Sequence, residues 1–313
     1  MPPEVLDVEI SIVNTSNCEL LRGCLRSLPA ACEGLHWHAT VVDNASTDGS
    51  AEMVESGFPW AKVLRNEGRL GFSANHNRVL RPTIEHRQAR YVLILNEDTQ
   101  LEAGSLFELV RFCDSDERCG AAGPVILGRD GLIEQSLFSF PTLLDQFRAS
   151  LLPGRPEGPP GPAGWLNGSC VLIRVEALRQ IGPLDERFFI FFEDTDLCLR
   201  LAAAGWTVRI CEQARILHLG HQTVSQRPLG DSMERQMLRS RYLYFLKHGG
   251  PARAGAVAGL VRIALAARAT KALAGGVVGG DPGERDLASG LWRLARYDPA
   301  SPLPHERTVE AAA

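Results

Sequence analysis

The chain has no run of the ~18 to 20 apolar residues that a membrane-spanning helix requires. Its start, Met1-Pro2-Pro3-Glu4, lacks the basic segment and apolar core of a secretory leader. Both absences lead to an expected cytoplasmic location. There is no excess of positive charge either: the formal net charge is −4, so the basic stripe that marks a nucleic-acid binder is missing. The eight cysteines form no Cys-x-x-Cys pair, and several sit in apolar helical patterns where a thiol acts as a small hydrophobe. They are expected to be reduced and structural. No Gly-x-x-x-x-Gly-Lys-Ser/Thr phosphate loop occurs, and no Gly-x-Gly-x-Arg loop follows the first strand-like run. An ATPase and a sugar nucleotidyltransferase are therefore poor fits. No internal repeat is present.

What is present is ordinary globular material, 313 residues with 45% hydrophobic and 22% charged side chains, enough for one generous α/β core or two modest ones. Residues 8–13 form a β-type run ending at Asn14, after which Leu20, Leu21, Cys24, Leu25 and Leu28 recur at helical spacing. A second strand, Ala39 to Val42, delivers Asp43 into a turn rich in Asn, Ser, Asp and Gly, and a third, Tyr91 to Leu95, delivers Asn96 and Asp98. Strands alternating with helices predict a mostly parallel central sheet flanked by helices, with ligands beyond the carboxyl ends of the strands. Asn14, Asp43 and Asp98 fall at that edge. The Pro/Gly segment Leu152 to Gly164 is excluded from helix and central strand and is expected to be a mobile loop. A helix near Val175 to Ile181 and a strand near Val208 to Ile210 follow. Beyond about residue 250 the composition turns to Ala, Gly and Arg, and the last dozen residues are expected to fray.

Three acidic turns stand out. They are Val42-Asp43-Asn44-Ala45-Ser46-Thr47-Asp48-Gly49-Ser50, Leu95-Asn96-Glu97-Asp98 and Phe192-Glu193-Asp194-Thr195-Asp196. With Ile12-Val13-Asn14, and with Asn66-Glu67-Gly68 plus Gly71-Phe72-Ser73-Ala74-Asn75, they make five ordered matches over residues 8–248. On them the chain resembles the family 2 glycosyltransferases, inverting enzymes of the GT-A-type nucleotide-binding fold, and specifically their rhamnosyltransferase-like branch.

The resemblance implies a catalytic domain over 1–230, its donor-binding part over 1–125 and its acceptor and base part over 126–230. A C-terminal helical extension over 231–300 and a disordered tail over 301–313 complete it. It places the nucleotide base at Asp43, whose carboxylate suits a ring N–H and ribose hydroxyls; a purely turn-organising role with Ser46 and Thr47 stays open. Asp48 is read as a turn or cap residue. Asn14, Asn44, Asn66, Gly68, Phe72, Asn75 and Asn96 are expected around the donor, together with Asn77. Asp98 and His218 are the implied ligands of a divalent cation, Mg²⁺ or Mn²⁺, which suits oxygen ligands and leaves positions for phosphate and water. Glu97 departs from the family pattern and is expected to face away from Asn96 and Asp98. Asp194 is the implied general base of a single displacement; capping of the following helix is the alternative role for the acids there, Asp196 above all. Trp165, Asn167, Gly168 and Glu193 match the acceptor side, a packing role for Trp165 staying equally open.

The implied reaction moves a sugar, rhamnose from dTDP-rhamnose by preference, from a dTDP- or UDP-sugar donor to a polysaccharide or lipid-linked glycan of the cell envelope. A catalytically silent sugar-nucleotide-binding subunit is the alternative, disfavoured by the presence of both Asp98 and Asp194. In residues 253–271, Val257, Leu260, Val261 and Ala264 share a helical face, yet Arg268 and Lys271 return to it at 100° per residue. A helix packed on the catalytic domain is therefore preferred to an interfacial one. The family's lipid-linked acceptors still imply peripheral contact with the inner membrane face.

Overall fold

A computed structural model describes residues 5–146, 164–220, 232–278 and 281–304. The expected mobile segment lies outside them except for Gly164, as does the expected frayed end from residue 305 onward. The described residues sort into two compact units. Residues 5–140, 164–186 and 193–220 make the first; 141–146, 187–192, 232–278 and 281–304 make the second.

The first unit is built on one sheet. Its elements are β1 (Leu6–Asn14), α1 (Cys18–Ala31), β2 (Trp37–Asp43), α2 (Ser50–Gly57), β3 (Ala61–Arg65), α3 (Phe72–His86), β4 (Ala89–Asn96), β5 (Thr99–Leu101), α4 (Ser105–Asp114) and β6 (Cys119–Leu127). Then come β7 (Ile133–Glu134), β8 (Leu137–Ser139), β9 (Gly164–Leu166), β10 (Cys170–Arg174), α5 (Val175–Ile181), α6 (Glu193–Ala203) and β11 (Thr207–His218). The strand order is β3-β2-β1-β4-β10-β6-β11-β5, with β7 on β6, and β8 pairs with β9 in a separate ribbon. The sheet is mixed. β3, β2, β1 and β4 run parallel, whereas β10 inserts antiparallel between β4 and β6.

Strand alternation explains its two cores. Along β4, Tyr91, Leu93 and Leu95 enter a cluster with Leu21, Leu25, Leu106 and Leu109. The intervening Val92 and Ile94 enter a cluster on the other face with Leu80, Leu178, Leu197 and Leu201. Both faces are thus covered by helices, which is why β4 reads as a continuous apolar run. Each fully buried Leu or Ile contributes about 1.5–3 kcal/mol. The turn out of β2 needs Gly49 in the left-handed region (φ 79°) to start α2.

The second unit contains α7 (Ser232–Val278), broken at Gly250 (φ 77°) before Pro251, and α8 (Pro282–Arg296). Asp281 caps α8 by accepting from Gly283 N, with Pro282 at the first helical position. Val257, Val261 and Ala264 are buried, and α7 packs on α8. Among the described residues no helix is long and apolar enough to cross a membrane.

Candidate active site

The expected edge is real as geometry. Asn14, Asp43 and Asn96 end β1, β2 and β4, and Asn14 lies opposite Asp43 in the ladder as Val13 lies opposite Asn96. Because β10 runs the other way, its start arrives at the same edge: Asn96 N donates to Ser169 O (2.9 Å). One residue back, Gly168 N donates to Asp194 Oδ2 (3.2 Å) at the mouth of α6. His218 ends β11 opposite Thr99. Asp43, Asp98, Asp194 and His218 therefore belong to one edge of one unit.

On the β1–β2 side Asp43 is buried and splits its duties. Oδ2 accepts from Ser46 N (3.2 Å), the turn-organising role, while Oδ1 is buried with no partner. Asn14 donates to Ser46 Oγ (3.1 Å) and its Oδ1 is likewise unpartnered. Asn44 is spent on structure: Oδ1 accepts from Leu70 N (2.8 Å) and Asn66 Nδ2 (3.0 Å), and Nδ2 donates to Leu70 O (3.0 Å). Asn66 also donates to Asn75 Oδ1 (2.6 Å), and Asn75 donates to Leu70 O and Gly71 O. These three asparagines pin residues 66–71 beside Asp43. Gly68 is exposed, and a Cβ there would meet nothing within 4 Å. Phe72 is half-buried with its ring 4.4 Å from that of His76. Asn77 is tied at both ends to Leu184 and donates to Glu186 as well, so it anchors the segment before α6. Asp48 accepts from Cys18 N at the start of α1 and from Ser50 N at the start of α2, a double cap.

Beyond β4 the two acids part. Glu97 accepts from Asn17 Nδ2 (2.7 Å); burial and the neighbouring Asp98 push its carboxyl up to about 7. Asp98 turns to His218, with Oδ1 3.5 Å from Nε2. The other ring nitrogen, Nδ1, lies 3.5 Å from Glu134 Oε2 on β7. Burial lowers the basicity of His218, but Asp98 and Glu134 outweigh it and the net direction is upward. Gly220 is enforced here, since a Cβ would lie 2.6 Å from His218 Nε2 and 2.9 Å from Asp98 Oδ2.

The donor set fits a divalent cation. Asp98 Oδ1 is buried without a hydrogen bond and faces an imidazole nitrogen, and a carboxylate beyond the far ring nitrogen is the usual support of a metal-binding histidine. Among the described residues no cluster of three or more His, Cys, Asp and Glu is placed to hold an ion alone. Such an ion would draw further ligands from phosphate and water.

At the α6 mouth Asp194 accepts from Thr195 N (2.6 Å), Thr195 Oγ1 (3.2 Å) and Gly168 N. It keeps part of its surface exposed, yet loss of hydration pushes its carboxyl up to about 6 against those bonds. Glu193 is buried with Oε2 unpartnered, and burial beside Asp194 drives its carboxyl well above the usual range. The two residues before it, Phe191 and Phe192, hold φ of 70° and 68°, a strained conformation for aromatics of the kind found at functional turns. Asp196 serves structure through an ion pair and not through the expected cap: buried, it accepts from Arg200 Nε (2.8 Å), and Arg200 donates to the carbonyls of Ile181, Gly182 and Pro183. Trp165 stacks on Phe138 (4.5 Å, 21°) and donates to Ser139 O, a packing role. Asn167 accepts from Ser169 N (3.0 Å), shaping the loop that holds Gly168.

Sequence reasoning missed Glu134 and Ser169, whose buried Oγ has no partner. Glu134 carries no signal in the chain, since a two-residue strand gives no periodicity.

The family profile of glycosyl transferase family group 2 matches residues 91–246. The Mycobacterium tuberculosis N-acetylglucosaminyl-diphospho-decaprenol L-rhamnosyltransferase is 32% identical over 203 residues, 57% of this chain and 65% of that protein. Over residues 91–246 the chain is similar to glycosyl transferase family group 2. The chain thus spans just under two thirds of its mycobacterial relative. It is also 26% identical to the Escherichia coli K12 rhamnosyltransferase WbbL over 58% of this chain and 72% of that one. Its fold is of the GT-A type. The Pyrobaculum calidifontis mannosyltransferase PcManGT, solved with GDP-Man and Mn²⁺, superimposes with a TM-score of 0.56 at 16% identity, covering 94% of this chain and 87% of that one.

Proposed function

We propose that this protein is a member of that family and an inverting transferase that moves rhamnose from dTDP-rhamnose to a hydroxyl of a lipid-linked or polysaccharide acceptor. The observation that carries the reading is the set of unpartnered buried oxygens at one sheet edge: Asn14 Oδ1, Asp43 Oδ1, Asp98 Oδ1, Ser169 Oγ and Glu193 Oε2. Buried polar atoms without partners are costly and rare, and a polar, hydroxyl-rich donor would supply partners for these. The sugar and acceptor class follow the relatives, whose names specify rhamnosyl transfer and, in one, a diphospho-decaprenol acceptor.

In this reading Asp43 Oδ1 and Asn14 Oδ1 accept from the donor's base and ribose. Asp98 and His218 would hold a divalent cation, Mn²⁺ or Mg²⁺, supplying positive charge against the departing diphosphate. Asp194 takes the proton of the acceptor hydroxyl while that oxygen bonds to the anomeric carbon and the carbon–oxygen bond to the diphosphate breaks on the opposite side, with inversion. Bonds from Thr195 and Gly168 fix its carboxylate, and an elevated proton affinity suits a base working near neutral pH.

A peripheral membrane location at the cytoplasmic face is part of the proposal. After Gly250, α7 exposes Ile263 (70%) and Val277 (64%), and residues 251–278 contain Arg253, Arg262, Arg268 and Lys271 but no acid. Titration of the full chain with dTDP-rhamnose, UDP-GlcNAc and GDP-mannose, with and without Mn²⁺, tests the donor assignment. Tightest binding to dTDP-rhamnose, strengthened by Mn²⁺, is expected; preference for the GDP sugar would contradict it.

A further inference from the structure

Asp194 stands directly after a strained turn whose strain nothing in the transfer chemistry itself requires. Phe191 and Phe192 hold φ of 70° and 68°, and two successive aromatics keep the left-handed region only where their surroundings leave no alternative. Glu193 and Asp194 follow at once as the first residues of α6. Whatever holds the turn therefore sets the direction in which the Asp194 side chain leaves the main chain. The start of the segment is fixed from α3, where Asn77 Nδ2 donates to Leu184 O (2.9 Å) and Asn77 Oδ1 accepts from Leu184 N (3.0 Å).

Within the second unit, residues 188–192 lie on the first half of α7. Ser240 is fully buried and donates from Oγ to Ile190 O (2.8 Å). One turn earlier the buried Gln236 donates from Nε2 to that same hydroxyl (3.2 Å), so Ser240 both holds the main chain and is itself held. One turn later the buried ring of Tyr244 lies 5.4 Å from that of Phe192, inclined at 44°, and Lys247 Nζ lies 5.8 Å from the centre of the Phe188 ring. Gln236, Ser240, Tyr244 and Lys247 recur at the spacing of one helical face. Two of these contacts bracket the left-handed pair: Ser240 fixes the carbonyl just before Phe191, and Tyr244 meets the ring of Phe192 at its end. Relaxation of either φ to a negative value would re-aim the start of α6, and with it the carboxylate that accepts from Gly168 N and Thr195 N.

We propose that Ser240 and Tyr244 are positioning residues for the transfer reaction, holding Phe191 and Phe192 in the left-handed turn that aims Asp194 at the acceptor hydroxyl. This rests on the reading of Asp194 as the base. Ser240 reaches that carboxylate only through the main chain, so its loss costs turnover and leaves donor binding in place.

The test is steady-state transfer by the full chain from dTDP-rhamnose to N-acetylglucosaminyl-diphospho-decaprenol, the acceptor in the mycobacterial relative's name, alongside calorimetric titration with dTDP-rhamnose. Ser240→Ala should lower kcat about tenfold with donor affinity within about threefold of native. Tyr244→Ala should do the same, and Tyr244→Phe, which keeps the ring, should restore kcat to within about threefold. In the Asp194→Asn background Ser240→Ala should change the residual transfer by less than about twofold, because both substitutions act on one group. Native kcat in Ser240→Ala, donor affinity falling in step with kcat, or an equal loss in both backgrounds would overturn the positioning role and leave the base assignment standing. Native transfer by Asp194→Asn, or none by the native chain, would instead remove the base assignment and this role with it.

Discussion

In the proposed mechanism Asp194 serves chemistry at the expense of stability. Its proton affinity rises from an ordinary value of 3.8 to about 6 through loss of hydration, so the folded chain holds that proton more tightly than the unfolded one. The group's contribution is therefore fully present below about pH 4 and lost as the pH rises through about 6. Asn resembles the protonated acid. Asp194→Asn should thus be more stable than the native chain at pH 8 by roughly 1–3 kcal/mol and indistinguishable from it near pH 3.5, as chemical denaturation at the two pH values would show. The same ionisation should give kcat/KM a rising limb with an apparent pKa near 6; a flat profile from pH 5 to 8 would remove Asp194 as base. At this scale the sequence was informative wherever an acid closes an apolar run, because a strand end or helix mouth fixes where the side chain emerges. Asp43, Asp98 and Asp194 were legible for that reason. Glu134 was not, since its link to His218 joins residues 84 apart across a mixed sheet.

At the scale of elements, helices α1 and α5 and strands β1, β2 and β4 follow directly from apolar period and turn chemistry. β10 does not, because Cys170–Arg174 runs into α5 at Val175 with no Gly or Pro between, so strand and helix read as one apolar stretch. β6 is obscured by Gly120, Gly123 and Pro124 within it. The consequence is functional, since antiparallel β10 is what brings Gly168 and Ser169 to the edge where Asp194 sits. A Cβ on Gly168 would lie 3.3 Å from Asp194 Oδ2 and 3.4 Å from its Cβ, so the carboxylate would have to give by a few tenths of an ångström. Gly168→Ala should lower kcat about 10- to 100-fold with donor affinity within a factor of about three, as steady-state kinetics alongside donor titration would reveal. Native kcat in that variant would show that the loop does not position the base.

For the molecule as a whole, the sequence argued against an interfacial helix because Arg268 and Lys271 return to the face marked by Val257 and Val261. The structure buries Val257, Val261 and Ala264 while Arg268 and Lys271 stay exposed, and it turns Ile263, Leu273 and Val277 outward. Which face of an Ala-rich helix is buried depends on its partner, and no local pattern records that. Co-sedimentation with vesicles containing 30% anionic lipid should retain the native chain at low salt. The Ile263→Glu, Val277→Glu double variant should lose about tenfold in partition; equal partition of both would place the contact elsewhere.

The central claim is that Asp43 and Asp98 hold the donor while Asp194 acts only on the acceptor's proton. Its most direct test is rhamnosyl transfer from dTDP-rhamnose by Asp194→Asn, measured in the same samples as donor affinity. The account predicts dTDP-rhamnose binding within about threefold of native and transfer reduced by about 10²–10⁴-fold. Transfer at the native rate in that variant would contradict it.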